Sequence, residues 1–438
     1  MTSALHHWLN SFDAQSAGRE IHAFATEAYP ICRSITGDGV RQTLSLLNAI
    51  APLEVHEVPS GTPVFDWNVP REWNVREAWI KDPNGNRVVD FADHNLHLLG
   101  YSVPTAQTMP LADLQEHLYS LPEKPSVIPY RTSYYKDRWG FCLSHETREG
   151  LPEGNYEVFV DTTLEDGHLS YGEVFLPGET DETVLISAHV CHPSLANDNL
   201  SALGVCAHLA RLLSGVQRRY SYRFLFLPGT IGAITWLATR EDDARRVVHG
   251  LVAANLGDSG AFHYKKSRRG DALIDRAAQQ VLADAGEPYE VEDFVPFGYD
   301  ERQYCSPGFN LPVGSLTRTP WGRYPEYHTS DDNLELIRPE ALGESLRRYL
   351  EVIFVLENEA RYRNLNPNCE PQLGKRGLYR TIGGDDGGRE RELALLWVLN
   401  QSDGDNSLLD IAQRSGMSFR RIAEAAAALR EAALLEPV

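Results

Sequence analysis

Six cysteines are few for 438 residues, and at positions 32, 142, 191, 206, 305 and 369 none forms a CxxC pair. This spacing excludes a disulfide framework and leaves reduced, buried thiols as the expectation. Long apolar runs are also missing. No stretch approaches the roughly 18 to 20 apolar residues of a membrane span, and the opening MTSALHHWLNSFDAQ has no basic region followed by an apolar run. The expectation is a soluble, cytoplasmic protein. Positive charge is short as well, with 41 Lys and Arg against 61 Asp and Glu, a formal charge of -20. Such a field repels phosphate backbones and anionic lipid, so neither nucleic acid nor membrane is an expected partner. What is present is an ordinary folding composition, 42% hydrophobic and 23% charged, in a chain long enough for two or three domains.

From about His6 to Ile50 apolar residues recur at helical spacing, interrupted by CRSITGDGVRQ. That turn, with Arg33, Asp38 and Arg41, is either a helix entry or one lobe of a substrate pocket. Residues 58–144 change in texture to prolines, tryptophans and short alternating runs, with DPNGNRVVD reading as a hairpin. This inserted β-rich module ends in an aromatic cluster of Tyr134, Tyr135, Trp139 and Phe141, which fills a core or walls a pocket. From Gly154 apolar strands alternate with amphipathic helices, including one from Asp271 to Ala285 and a last long one from Pro339 to Tyr362. Alternation of this kind implies an α/β fold, a mixed and mostly parallel sheet covered by helices. The predicted domains are 1–57 with 145–365, the insert 58–144, and a linker with a winged-helix-like unit over 366–438. In that unit Arg420, Arg421 and Arg430 are interleaved with Glu424 and Glu431. This pattern favours packing or homo-oligomerisation over DNA contact.

Three segments carry chemistry. In SAHVCHPSLANDNLSALG, His189 and His192 close a buried strand and Asp198 opens the next helix. Ligands of open α/β sheets bind there, at the carboxyl ends of strands. NLGDSG places Asp258 after another strand, as a metal ligand or a turn cap. In RTPWGRYPEYHTSDDN, His328 stands before Asp331 and Asp332, either of which could orient its second nitrogen.

The order of these segments resembles the zinc aminopeptidases of the bacterial leucyl and yeast vacuolar type, whose fold glutaminyl cyclases share. It is closer still to a bacterial subfamily of aminopeptidase-like proteins with an inserted protease-associated β module and a C-terminal winged helix. HVCHP, NDNLSALG, YDERQYCSPGFNLPVGSL and YPEYHTSDDN carry that likeness over essentially the full chain. The resemblance implies zinc held by His189, Asp198, Asp258 and His328, with the role of His192 open. It also exposes departures. Cys191 stands where relatives have an aspartate, and Gly229 and Thr230 replace two adjacent glutamates, a general base and a zinc ligand. Losing a positioned base typically removes about 10² to 10⁴ in rate, and losing a ligand favours a single zinc. Glu301 and Glu326 are the candidate replacement bases, and Asp300 or Glu301 the acid that would hold a substrate amine. Tyr299, Arg302, Arg268 and Tyr134 are expected to touch substrate, and the basic run from Lys265 to Arg269 to receive a substrate carboxylate or phosphate.

The resulting expectation is a metal-dependent hydrolase of an N-terminal peptide or related amide bond, with a small peptide or amine-bearing molecule as substrate. Two alternatives stand beside it: amide transfer, cyclisation or deacylation on a small amine-bearing metabolite, and a non-catalytic binder of peptide or glycan fragments. The insert is a candidate lid.

Overall fold

The computed structural model describes residue 9, residues 11–379 and residues 386–438. Its main sheet has eight strands: β1 (Glu54–Pro59), β2 (His168–Leu176), β3 (Thr183–His189), β4 (Ser221–Leu227), β5 (Val247–Ala253), β6 (Phe262–Lys265), β7 (Tyr289–Glu292) and β8 (Val313–Thr317). They lie in the order β1-β2-β4-β3-β5-β8-β6-β7. The four central strands β4, β3, β5 and β8 are mutually parallel, while β2 and β6 join them antiparallel. Every residue of β3 and β4 is buried, as expected of parallel strands covered on both faces.

The covering helices are α1 (Ala14–Ala28), α2 (Asp38–Ile50), α3 (Ala202–Ser214), α4 (Ile231–Thr239), α5 (Leu273–Ala285) and α6 (Pro339–Asn358). Asp13 caps α1 by accepting the Ser16 N–H at 3.0 Å, and α6 starts on Pro339, where a missing N–H costs nothing. Helices α1 and α6 approach until a Cβ at Gly18 would lie 1.8 Å from the Pro339 carbonyl oxygen.

The insert is an antiparallel four-stranded sheet in the order 87–90, 72–81, 155–165, 105–110. The DPNGN turn closes its hairpin, with Asp82 accepting the Asn84 and Asn86 N–H groups. Its central strand, Asn155–Glu165, pairs with Glu72–Lys81 and Thr105–Pro110. The module therefore draws in a segment that the sequence reading, stopping at residue 144, gave to the α/β domain.

The C-terminal winged helix consists of α7 (Asp386–Gln401), α8 (Leu408–Ser415) and α9 (Phe419–Glu431) with strands Asp403–Ser407 and Leu435–Pro437. Both strands flank Arg361–Asn364, so the unit begins just after α6 rather than at residue 366. It shares one continuous apolar core with the α/β domain. Phe419 is buried edge-on to Phe354, Asp284 of α5 accepts the Phe419 N–H at 2.8 Å, and Arg276 pairs with Asp410 at 2.6 Å. The amino end of α9, the part that reads bases in DNA-bound helix-turn-helix units, thus packs inward. Among the described residues no helix is long and apolar enough to cross a membrane.

Candidate active site

The carboxyl ends of β3 and β4 open on a cavity of about 310 Å³. β3 delivers His189, and three residues later the chain presents His192. The following segment brings Asp198 back beneath them, and its carboxylate organises the cluster. Oδ1 lies 2.7 Å from His189 Nε2, and Oδ2 lies 3.0 Å from His328 Nε2 and 3.9 Å from His192 Nε2. Asp198 is 1% exposed. Burial alone would raise its pKa, but the neighbouring imidazoles His192 and His189, with hydrogen bonds from His189 and His328, hold it well below the usual carboxylate range. Burial also drives His192 well below the usual histidine value, which keeps a neutral, metal-competent imidazole.

Asp332 fixes this arrangement from behind. Its carboxylate accepts the Asn197 N–H at 2.6 Å and the Asp198 N–H at 3.0 Å. Burial, reinforced by the charge of Asp198, pushes its pKa up to about 7. Sequence reasoning assigned Asp331 or Asp332 to the second nitrogen of His328. Asp332 instead holds the backbone that carries Asp198.

His328 sits at φ 55, a left-handed conformation that a histidine adopts only under constraint. The constraint comes from the insert. Tyr130 N donates to the His328 carbonyl at 2.8 Å, Ser330 N to the Ile128 carbonyl at 2.9 Å, and Pro129 bridges Thr329. The same stretch supplies Tyr130, Thr132 and Tyr134 to the cavity wall. The insert is thus a fixed wall of the site, and Tyr134 lines the cavity.

On the opposite side stand Gly229, Thr230, Tyr299, Asp300 and Arg302. Thr230 has φ 64 and ψ −67, and Ile231 N closes back on the Gly229 carbonyl at 3.0 Å. This is a tight γ-turn, strained for a β-branched residue and typical of functional sites. Asp300 Oδ1 accepts the Thr230 N–H at 2.6 Å. Asp300 is 4% exposed, and burial, only partly offset by His189 and by the Thr230 N–H, pushes its pKa up to about 6. The Tyr299 hydroxyl accepts from Asn255 Nδ2 at 2.7 Å and from Trp321 N at 2.9 Å, which leaves its own O–H free to donate.

Several expectations need correction. Asp258 is buried away from the cluster, where its carboxylate accepts from Gly260 N, Thr319 Oγ1 and Asn197 Nδ2 at 2.6 to 2.9 Å. It is a loop brace. His192, whose role the sequence left open, stands in the cluster where Asp258 was expected: His189, His192 and Asp198 bring their donor atoms within 4.8 Å of one another. Glu301 is fully buried in an ion pair with Lys265 at 2.7 Å and does not line the cavity. Glu326 rides on the His328 loop outside the wall. Arg268 is turned to Asn310 at 3.1 Å and Lys266 to Asp293 at 2.9 Å, so the basic run serves its own surface. Of the CRSITGDG turn, Ile35 reaches the cavity, while Arg33 binds the His192 carbonyl at 2.9 Å from outside it. Arg41 pairs with Glu72 and Glu57 at the seam with the insert.

A family model described as a domain of unknown function, DUF4910, matches residues 22–359. The chain belongs to the DUF4910 family. A winged helix-turn-helix model matches residues 360–437, the boundary that the strand pairing sets. A Clostridium acetobutylicum protein, described as a candidate polysaccharide biosynthesis protein with an aminopeptidase-like domain, is 50% identical over 97% of this chain and 98% of its own length. A crystal structure of a candidate peptidase from the same organism superposes with a TM-score of 0.94 at 48% identity, covering both chains fully. A zinc aminopeptidase from Bacillus subtilis gives 0.59 at 14% identity, over 79% of this chain and 95% of its own. A peptidase M28 precursor from Shewanella amazonensis gives 0.57 at 15%, over 81% and 96%. This DUF4910 chain therefore has the aminopeptidase fold with a C-terminal winged helix.

Proposed function

We propose that this DUF4910 chain is a metal-dependent amidohydrolase acting on an N-terminal peptide bond or a related amide, with Asp300 as its proton carrier. The observation that carries the reading is the convergence of three imidazoles on one buried carboxylate at the floor of a cavity that Asp300 also lines. The donor set suits zinc, which takes imidazole nitrogen and carboxylate oxygen at roughly 2.0 to 2.2 Å. Asn199, which donates to His189, buries an amide oxygen without a hydrogen-bond partner among the described residues, as acceptors awaiting a cation or donor do. His189, His192, Asp198 and His328 would hold the ion. Zinc there would supply Lewis-acid polarisation of the substrate carbonyl and acidify an attacking water.

The chain's own groups do the rest. Gly229 provides no base, but Asp300 hydrogen-bonds the next residue and, with a pKa about 6, is mostly ionised at neutral pH. It takes the proton of the attacking water and returns it to the amide nitrogen as the C–N bond breaks, which yields a carboxylate and an amine. The free O–H of Tyr299, whose oxygen is fixed by two N–H donors, is available to the oxygen on which negative charge develops.

A second reading, amide transfer or deacylation on a small amine-bearing metabolite, is favoured by the modest cavity and by the absence of both glutamates at 229 and 230. The Clostridium relative's description as a candidate polysaccharide biosynthesis protein points to an amino sugar for such a reaction. Elemental mass spectrometry on the purified protein and on a His189→Ala, His328→Ala variant tests the metal centre. A panel of aminoacyl anilides and N-acyl amino sugars, analysed for products with and without added amines, tests the chemistry. About one zinc per chain, lost in the variant, with a hydrolysed panel member, is the expected result. Absence of bound metal after zinc reconstitution would sink the reading.

A further inference from the structure

The cations near the cavity differ in what they hold. Lys265 is neutralised by Glu301, and Arg33 spends two donors on the carbonyls of His192 and Ala28. Arg302 lines the cavity itself and makes no ion pair among the described residues. Its Nη2 donates to Thr230 Oγ1 at 3.2 Å, its Nε is buried without a partner among the described residues, and its guanidinium lies 5.6 Å from the Phe297 ring centroid. A guanidinium offers five N–H donors, and among the described residues one is used. Thr230 Oγ1 accepts from Arg302 and so keeps its own hydrogen for another acceptor. The strained γ-turn, pinned by Asp300, holds that hydroxyl beside the guanidinium.

A positive fork and a hydroxyl donor at the wall of a cavity, in a chain of formal charge -20, form a receptor for an anion. We infer that Arg302 and Thr230 constitute a subsite for a carboxylate of the substrate, so that the amide cleaved belongs to an acidic molecule such as an acidic amino acid derivative or a carboxylated sugar. Arg–carboxylate pairing is planar and bidentate. A doubly charged phosphate would meet the ionised Asp198 and Asp300 on the same cavity, whereas one carboxylate is matched by one guanidinium. The inference rests on the cavity being the substrate site of the proposed hydrolase.

The test is calorimetric titration of zinc-reconstituted and chelator-treated protein with succinate, its neutral isostere succinamide, and inorganic phosphate. Wild type is compared with Arg302→Gln and Arg302→Lys, with Arg323→Gln as the control, since Arg323 pairs with Glu290 and Glu292 on the surface. The expected result is succinate binding in both metal states, weakened about tenfold or more in Arg302→Gln, less in Arg302→Lys and not in Arg323→Gln, with succinamide weak throughout. Equal succinate affinity in wild type and Arg302→Gln overturns the subsite, as does binding confined to the zinc form or absent from folded wild type. Phosphate binding more tightly than succinate through Arg302 overturns the carboxylate assignment. Metal content and hydrolysis are read separately, so Arg302-dependent succinate binding by a protein without zinc would leave the subsite standing and remove only the hydrolase.

Discussion

Replacing Asp300 by Asn keeps the oxygen that accepts the Thr230 N–H but removes the carboxylate that would carry the proton. Loss of a positioned base costs about 10² to 10⁴ in kcat, or roughly 3 to 5 kcal/mol of transition-state stabilisation at 1.36 kcal/mol per tenfold. The structure also provides the rescue. A Cβ built on Gly229 would lie 3.4 Å from Cys191 Sγ and 3.5 Å from His189 Cβ, ordinary contacts, and the backbone there has no positive φ. Gly229 lines the same cavity as Asp300, so Gly229→Glu places a carboxylate where the resemblance to the zinc aminopeptidases implies a base. The expected outcome is that Asp300→Asn loses at least a hundredfold in kcat on the best panel substrate while zinc content stays unchanged. Asp300→Asn with Gly229→Glu recovers at least tenfold of that loss. Steady-state kinetics over pH 5 to 9 supply the second readout: wild-type kcat/KM rises as pH passes about 6, and the single variant lacks that limb. Asp300→Asn retaining kcat within threefold, with metal in place, would refute the assignment.

Other outcomes follow from the packing and the seams. Asp332→Asn loosens the segment carrying Asp198 and lowers zinc affinity about 10- to 100-fold in a competition titration. Gly18→Ala forces α1 from α6, since the new Cβ meets the Pro339 carbonyl, and costs about 1 to 3 kcal/mol in urea unfolding. Phe419→Ala empties the contact beneath the winged helix and costs about 3 to 5 kcal/mol; a transition in which the C-terminal unit melts alone would contradict the shared core. At the seam with the insert, the hydrogen bonds of Arg41 outweigh burial and hold Glu72 at a pKa of about 2. A depressed carboxylate contributes stability above its ordinary pKa near 4.5 and loses it as pH falls toward 2. Wild type should therefore exceed Glu72→Gln by about 1 to 2 kcal/mol at pH 7, after allowance for solvent screening, and the gap should close by pH 2 in denaturant titrations.

Much of this was legible in the sequence because periodicity and strand ends report on local geometry. β3 and β4 are apolar runs because both faces are covered, and a histidine at the end of one had to face the open edge of the sheet. His189, Asp198 and His328 meet as the motif order implied, and Tyr134, Tyr299, Asp300 and Arg302 reach the cavity. What was missed depends on the partners a side chain finds. Asp258 lies after a strand end, as a ligand would, yet Asn197 and Thr319 from distant loops and Gly260 from its own turn claim its carboxylate. Glu301 and Asp300 are neighbours in sequence, but one turn of helix sends Glu301 to Lys265 and leaves Asp300 in the cavity. The HxCH spacing already placed His192 beside His189, and this was the signal for its membership in the cluster. The strand Asn155–Glu165 carried alternating burial like any half-covered strand, and nothing local revealed which sheet would take it.

The hold of the insert on the His328 loop has a consequence for assembly. Because Tyr130 and Ile128 grip the backbone at His328 and Ser330, the fourth member of the cluster is in place only when the insert has folded and the chain up to residue 330 has docked onto it. At the proposed metal site, ion affinity would then report on the order of the whole molecule. A partly folded chain would present His189, His192 and Asp198 without their cap and hold metal weakly, and a bound ion would draw insert and α/β domain into one cooperative unit by mass action.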